Sequence, residues 1–258
     1  MSTNFAHENI AYWTKRAPSY SQVNQEELKT GQRAVWKDTL DSRIRAHFPS
    51  RPRGEIRVLD IGTGPGFFAI ILTELGYRVT AVDYTQAMLE QARENAGSLA
   101  GQIDFLRMNA EELSFPDGSF DVVVSRNLTW NLRAPGKAYG HWARVLKENG
   151  LLLNFDANWY RYLYDAQAEA GHRADRENVR QSSAADDTAG TDVAAMEAIA
   201  QQAPLSGHNR PEWDLKALDR LGLRVSAERD IWKQVWTETE RINNASTPMF
   251  LIQAAKRA

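Results

Sequence analysis

The chain has 258 residues, 43% of them hydrophobic and 25% charged, with a formal net charge of −2. That is enough apolar material for one sizeable α/β core, and so balanced a charge gives no basic field to draw in nucleic acid. Cysteine is absent, which rules out disulfides, thiolate metal sites and a cysteine nucleophile together.

No apolar run reaches the roughly 18 residues of a spanning helix, and the first residues lack a charged-then-apolar export signal. A cytoplasmic protein is therefore expected. Residues 5–48 read as helical, most clearly over 26–48, where Leu28, Val35, Trp36, Leu40, Ile44 and Phe48 recur at three- and four-residue steps. Pro18 should interrupt the earlier part, and Ser-Arg-Pro-Arg-Gly at 50–54 reads as a solvated linker.

From 56 to 156 the pattern alternates. Strands are expected near 56–61, 78–82, 103–107, 121–125 and 150–156, with helices near 66–75, 85–99 and 136–147. Such alternation predicts a mostly parallel sheet covered on both faces. Beyond it, 158–180 reads as a charged helix, 181–192 as a small, polar, mobile loop and 193–202 as a short helix. A further helix over 211–221 should stop at Gly222. Residues 223–236 and 249–256 read as two more strands.

Three pieces carry chemistry. The first is Val-Leu-Asp-Ile-Gly-Thr-Gly-Pro-Gly at 58–66, a buried strand running into a glycine turn and then an apolar helix. Gly62, Gly64 and Gly66 remove side chains where the backbone must turn and let a ligand approach. A dinucleotide fingerprint would place its third glycine at 67, which is Phe67. The second is Asp83 at the end of the second strand, where a carboxylate can accept hydrogen bonds from ribose hydroxyls. A glycine turn with such an Asp also fits NAD. The third is Asn-Ala-Glu-Glu-Leu-Ser-Phe-Pro-Asp-Gly-Ser-Phe-Asp at 109–121.

Taken in order, these pieces resemble class I S-adenosylmethionine-dependent methyltransferases, in the small-molecule branch typified by ubiquinone/menaquinone biosynthesis. The resemblance is strong over 56–156 and rests on pattern alone over 211–258. It departs at Asn109, where the family usually has Asp, although an amide oxygen accepts the same hydrogen bond. It implies a Rossmann-like, doubly wound α/β fold with a mostly parallel seven-stranded sheet closed by an antiparallel hairpin. It also implies an N-terminal helical lid over 1–50 and a methyltransferase domain over 51–258, with substrate-side helices inserted at 157–210. The whole should form one structural domain.

By the same resemblance, Asp60 holds the ammonium of S-adenosylmethionine, with Gly62, Thr63, Gly64 and Gly66 around its amino acid tail. Asp83 takes the ribose, Tyr84 and Met88 flank the adenine, and Asn109, Ala110 and Glu111 address its edge. Arg126 touches the cofactor through its carbonyl, and its guanidinium has two uses open to it, an anionic substrate or a surface or structural salt bridge. On the acceptor side stand Tyr12, Trp13 and Arg16 of the lid, with Asn127 and Trp130 after the fourth strand. The Asn/Asp-Pro-Pro-Tyr motif of amide and base methyltransferases is absent there.

An acceptor that arrives protonated needs a base, for which His172, His208 and Tyr20 are candidates, ahead of Asp156 and His141. Two scattered histidines are a weak case for a metal, and none is expected. The expected reaction is in-line methyl transfer to a small molecule, leaving S-adenosylhomocysteine, by a monomer or homodimer that binds neither membrane nor nucleic acid. An RNA or protein methyltransferase, an NAD(P)-dependent oxidoreductase and a non-catalytic cofactor-binding protein are the alternatives.

Overall fold

The computed structural model describes residues 3–257. Two helices open the chain, α1 (Thr3–Lys29) and α2 (Gln32–His47). The alternating region follows as β1 (Arg57–Ile61), α3 (Phe67–Glu74), β2 (Arg78–Asp83), α4 (Gln86–Ala96), β3 (Ile103–Arg107), β4 (Phe120–Arg126), α5 (Pro135–Val145) and β5 (Leu146–Asp156). Helices α6 (Ala166–Gln181), α7 (Val193–Ala200) and α8 (Glu212–Arg220) lead to β6 (Arg224–Glu228). Two short helices, α9 (Trp232–Val235) and α10 (Glu238–Asn243), precede β7 (Phe250–Ala255).

The strands form one seven-stranded sheet in the order β3-β2-β1-β4-β5-β7-β6. Pairs among β1 to β5 are parallel, and β7 lies antiparallel between β5 and β6. This is the doubly wound architecture expected from the alternating pattern. Each face of the sheet has its own core, because successive side chains point to opposite sides. Val58, Val79, Val122 and Leu153 pack with α2, α3 and α4 on one face, while Leu59, Val123 and Leu152 pack with α5 and α8 on the other. Helix α3 is apolar nearly all round, with Phe67 to Thr73 buried, because it is enclosed between the sheet and α2.

Three boundaries differ from the sequence reading. Pro18 lies inside the continuous helix α1. A proline there lacks a ladder hydrogen bond, but tertiary contacts hold the helix straight through it. Ala17 is fully buried, and Ser21 and Gln25 hydrogen-bond the Asn95 side chain of α4. The segment after β5 turns once through a 3-10 helix at Arg161–Leu163 before α6 begins, capped by Asp165, whose carboxylate accepts the Ala168 N–H. The strand expected over 223–236 ends at Glu228, and Trp232–Val235 is helical, with Ile231 and Val235 turned into the core.

Candidate functional site

The glycine turn sits between β1 and α3, at the carboxyl edge of the sheet. Gly62, Gly64 and Gly66 all have positive φ (68°, 53° and 94°), the region that L side chains rarely enter. A Cβ at Gly62 would stand 2.7 Å from the Leu128 side chain, and one at Gly66 would stand 3.0 Å from the Cβ of Ala92. The turn is welded to β2, since the N–H groups of Gly62 and Thr63 both donate to the Val82 carbonyl at 2.8 and 3.0 Å.

Asp83 completes the frame. One of its carboxylate oxygens accepts the Gly64 N–H at 3.0 Å and the other the Thr85 N–H at 2.8 Å. A carboxylate has about four acceptor sites, so two are spent on fixing its orientation and two are left for a ligand. Burial pushes its pKa up, opposed by those backbone donors. Asp60, 2% exposed, lies beneath the turn and accepts the Thr63 hydroxyl at 2.6 Å. Desolvation raises its pKa to about 7.

Above this frame is a cavity of about 280 Å³, near the lower end of ordinary ligand pockets (~300 Å³ and upward). Gly62, Gly64, Asp83 and Met88 form its floor, and Tyr84, Met108, Asn109, Ala110 and Glu111 form one end. Arg126, Asn127 and Leu128 leave β4 beside it, and Asn131, Leu132 and Arg133 close the far side. Helix α1 is the roof, through Phe5, Ala6, Asn9, Ile10, Trp13 and Tyr20.

Roof and wall are joined by two polar contacts. The amides of Asn9 and Asn131 pair reciprocally, Nδ2 of each donating to Oδ1 of the other at 3.0 and 3.2 Å. The Arg126 guanidinium spans both carboxylate oxygens of Glu27 at 2.8 and 2.9 Å. It also lies over the rings of Trp36, Phe67 and Phe68.

The sequence-predicted residues divide accordingly. Gly62, Gly64, Asp83, Tyr84, Met88, Asn109, Ala110, Glu111, Arg126, Asn127, Trp13 and Tyr20 meet around the cavity. Asp60, Thr63 and Gly66 stand behind the turn and shape it without lining the space. Two of the lining residues are held by the protein itself. The Arg126 guanidinium takes the salt-bridge use of its two expected ones, committed to Glu27 rather than held out for an anion. Glu111 accepts the N–H groups of Arg133 and Ala134 at 2.7 and 2.9 Å, which caps the entry to α5. Asn109 Oδ1 accepts the Glu111 N–H at 3.0 Å and keeps one lone pair.

Other candidates lie elsewhere. Tyr12, Arg16 and Trp130 do not line the cavity. Trp130 packs with Phe5, Met196 and Ile199, and its indole N–H donates to the Asn127 carbonyl at 2.9 Å. Arg16 donates to the Ser19 hydroxyl. His172 stacks flat on Tyr162, with ring centres 3.9 Å apart, and burial lowers its pKa. His208 packs against Trp213 at 6.1 Å. Neither histidine reaches the cavity lining. His141 lies on α5, within 3.5 Å of Arg144.

Asp156 is occupied too, in a fully buried ionic network. Arg210 donates to Asp156 at 2.8 Å, to both oxygens of Asp214 at 2.9 and 2.8 Å and to the Thr129 hydroxyl at 2.9 Å. All three charged side chains are 0% exposed. Asn9, Ile10, Asn131 and Leu132, which also line the cavity, escaped the sequence reading. Nothing local marks a contact between residues 122 positions apart.

The cavity fits an adenosyl cofactor. It offers a left-handed glycine turn that a Cβ would fill, an oriented carboxylate with spare lone pairs, and the buried Oδ1 of Asn127, which has no hydrogen-bond partner. A family model described as a methyltransferase domain matches residues 59–154. Over 139 residues the chain is 39% identical to the ubiquinone/menaquinone biosynthesis C-methyltransferase UbiE of Methylobacterium nodulans, covering 51% of this chain and 52% of that protein. It is 38% identical over 139 residues to the demethylmenaquinone methyltransferase of Deinococcus radiodurans, covering 53% and 55% respectively. The chain thus spans about half the length of the curated relatives it matches. The crystal structure of the YcgJ protein of Bacillus subtilis shares the fold, with a TM-score of 0.53 at 22% identity over 83% of this chain and 97% of that one. Over residues 59–154, from β1 nearly to the end of β5, the chain thus matches a methyltransferase domain and is similar to the ubiquinone/menaquinone-biosynthesis methyltransferases.

Proposed function

We propose that the protein binds S-adenosylmethionine in the cavity under α1 and transfers its methyl group to a small-molecule acceptor. The observation that carries this reading is the Asp83 carboxylate, fixed by Gly64 and Thr85 while still facing the cavity. When bound, the cofactor supplies an electrophilic methyl on a sulfonium sulfur.

The remaining work belongs to the chain. Asp83 would accept the ribose hydroxyls, and Asn109 with the Ala110 backbone would meet the adenine edge between Tyr84 and Met88. The turn from Gly62 to Gly66, with Asp60 beneath it, would receive the amino acid tail. Phe5, Ile10, Trp13, Leu128 and Leu132 would surround the acceptor and exclude water. Exclusion matters because attack by an anion on a sulfonium spreads and then cancels charge, which bulk water opposes. Alignment does most of the rest, and positioning alone can be worth effective molarities of ~10⁵ M.

Isothermal titration of ligand-stripped protein with S-adenosylmethionine, S-adenosylhomocysteine and NADH tests the reading. Uptake of both adenosyl compounds and not of NADH is expected, and uptake of NADH alone would overturn it. On the same reading the partner is a metabolite, and the chain itself acts in the cytoplasm as a monomer or homodimer. Salt-sensitive retention on RNA would replace the metabolite with a nucleic acid.

A further inference from the structure

We infer that the acceptor is a compact molecule whose own thiol or acidic phenol ionises in solution, and that the protein supplies no general base. This rests on the proposed methyl transfer and names the class of substrate for the same cavity. Among the described residues, the titratable or charged side chains that line it are Tyr20, Asp83, Tyr84, Glu111, Arg126 and Arg133.

Each acidic one is already engaged. Asp83 is held by Gly64 and Thr85, with its remaining lone pairs assigned to the ribose, and Glu111 by the backbone of Arg133 and Ala134. Arg126 faces Glu27, and an arginine cannot take up a further proton. Tyr20 sits over Gly64 and burial raises its pKa, so it holds its proton at neutral pH. Tyr84 is 42% exposed and lies under the Arg107 guanidinium. The two histidines that could have served are packed away on Tyr162 and Trp213.

An aliphatic alcohol or a protonated amine would therefore keep its proton in this cavity. A thiol with a pKa of about 8.5, or a phenol acidified to a similar value, does not need help. Its proton leaves to water before binding. The lone pair on sulfur or oxygen then forms the bond to the methyl carbon as the carbon–sulfonium bond breaks. That bond's electron pair stays on the departing sulfur as a neutral thioether, so charge is cancelled inside apolar walls, which favours the step.

The test uses the full chain at saturating S-adenosylmethionine with neutral thiols and neutral phenols of graded acidity, plus a neutral alcohol of matched size. Product S-adenosylhomocysteine is followed against pH. In a second readout, each acceptor is titrated calorimetrically into protein already loaded with S-adenosylhomocysteine. The expected result is a rate inflection that moves with the acceptor's own pKa, binding of at least one thiol or phenol to the loaded protein, and at least 100-fold slower turnover of the alcohol. The thiol and phenol series tell the two sources apart. Tyr20→Phe should keep the moving inflection. Asp60 contributes an inflection that stays fixed and recurs in the pH dependence of S-adenosylhomocysteine affinity. Turnover of the alcohol within 100-fold of the thiols and phenols, no inflection that moves with the acceptor, or no binding and no turnover across both series would overturn the inference. Failure to take up S-adenosylhomocysteine at all would instead overturn the proposed function.

Discussion

Arg126, the last residue of β4, grips Glu27 on α1 through two hydrogen bonds of 2.8 and 2.9 Å, with both side chains 13% exposed. The pair ties the roof of the cavity to the centre of the sheet. Its environment also stacks the guanidinium on three aromatic rings, so the cation is held whether or not its partner is present. Removing the carboxylate leaves a buried charge without compensation, which typically costs about 3–5 kcal/mol. Partial exposure places Glu27→Ala nearer the low end, at about 3 kcal/mol. Urea unfolding should show that loss. Affinity for S-adenosylhomocysteine should fall with it, because α1 loses its direct tie to β4. A variant as stable as the parent would show the pair to be dispensable.

Asp83→Asn keeps the size of the side chain and removes its charge. One amide oxygen must then serve two backbone donors as well as the ribose. Affinity for S-adenosylhomocysteine should drop about ten- to a hundred-fold, the equivalent of about 1.4–2.8 kcal/mol. Calorimetry measures it, with thermal unfolding of the free protein as the control for folding. Undiminished affinity would remove the ribose assignment.

Asp60 makes the ligand-free protein sensitive to pH. Its folded pKa is raised from 3.8 to about 7 by desolvation. A raised folded value means that the folded state binds the proton more tightly than the unfolded chain does. The associated stability is fully present below about pH 4 and is lost as pH climbs through about 7. Denaturant midpoints of the free protein should therefore carry a component that falls across that window, and Asp60→Asn should flatten it. Saturating S-adenosylmethionine should flatten it as well, since an ammonium beside the carboxylate favours the ionised form. An unchanged slope in Asp60→Asn would assign the effect to other groups.

The Asn9–Asn131 amide pair fastens the first turns of α1. Single alanine variants at either position should each shorten the protection of the amides of residues 4–13 against hydrogen exchange. In a double-mutant cycle the two should couple by about 0.5–1.5 kcal/mol. Full additivity would mean that the roof is held by Phe5 and its apolar neighbours alone.

The parts of the site that could be read in the sequence are those built by neighbours along the chain. The turn at Gly62–Gly64–Gly66 declares itself through three residues that only glycine suits, and Asp83 through its place at the end of a β-branched strand. The contacts that turn this frame into a closed chamber join distant segments. Glu27 meets Arg126 across 99 positions, and Asn9 meets Asn131 across 122. No periodicity encodes them. For the same reason Pro18 reads as a break yet lies in an unbroken helix, since Asn95 on α4 outweighs the local preference. His172 misled because a charged, polar helix looks the same from sequence whether its histidine faces a ligand or a tyrosine ring.

Arg210 follows α6 and α7 in the chain, yet its nitrogens end on Thr129 and Asp156, beside the loop whose Asn131, Leu132 and Arg133 line the cavity. The end of the segment between β5 and α8 is thus bolted to the strand edge by a fully buried cation. Exchanging 157–210 for the corresponding stretch of a relative would succeed as a graft only if the donor brought its own bolt. Without one, two stranded carboxylates would unseat the wall against which the acceptor must be aimed.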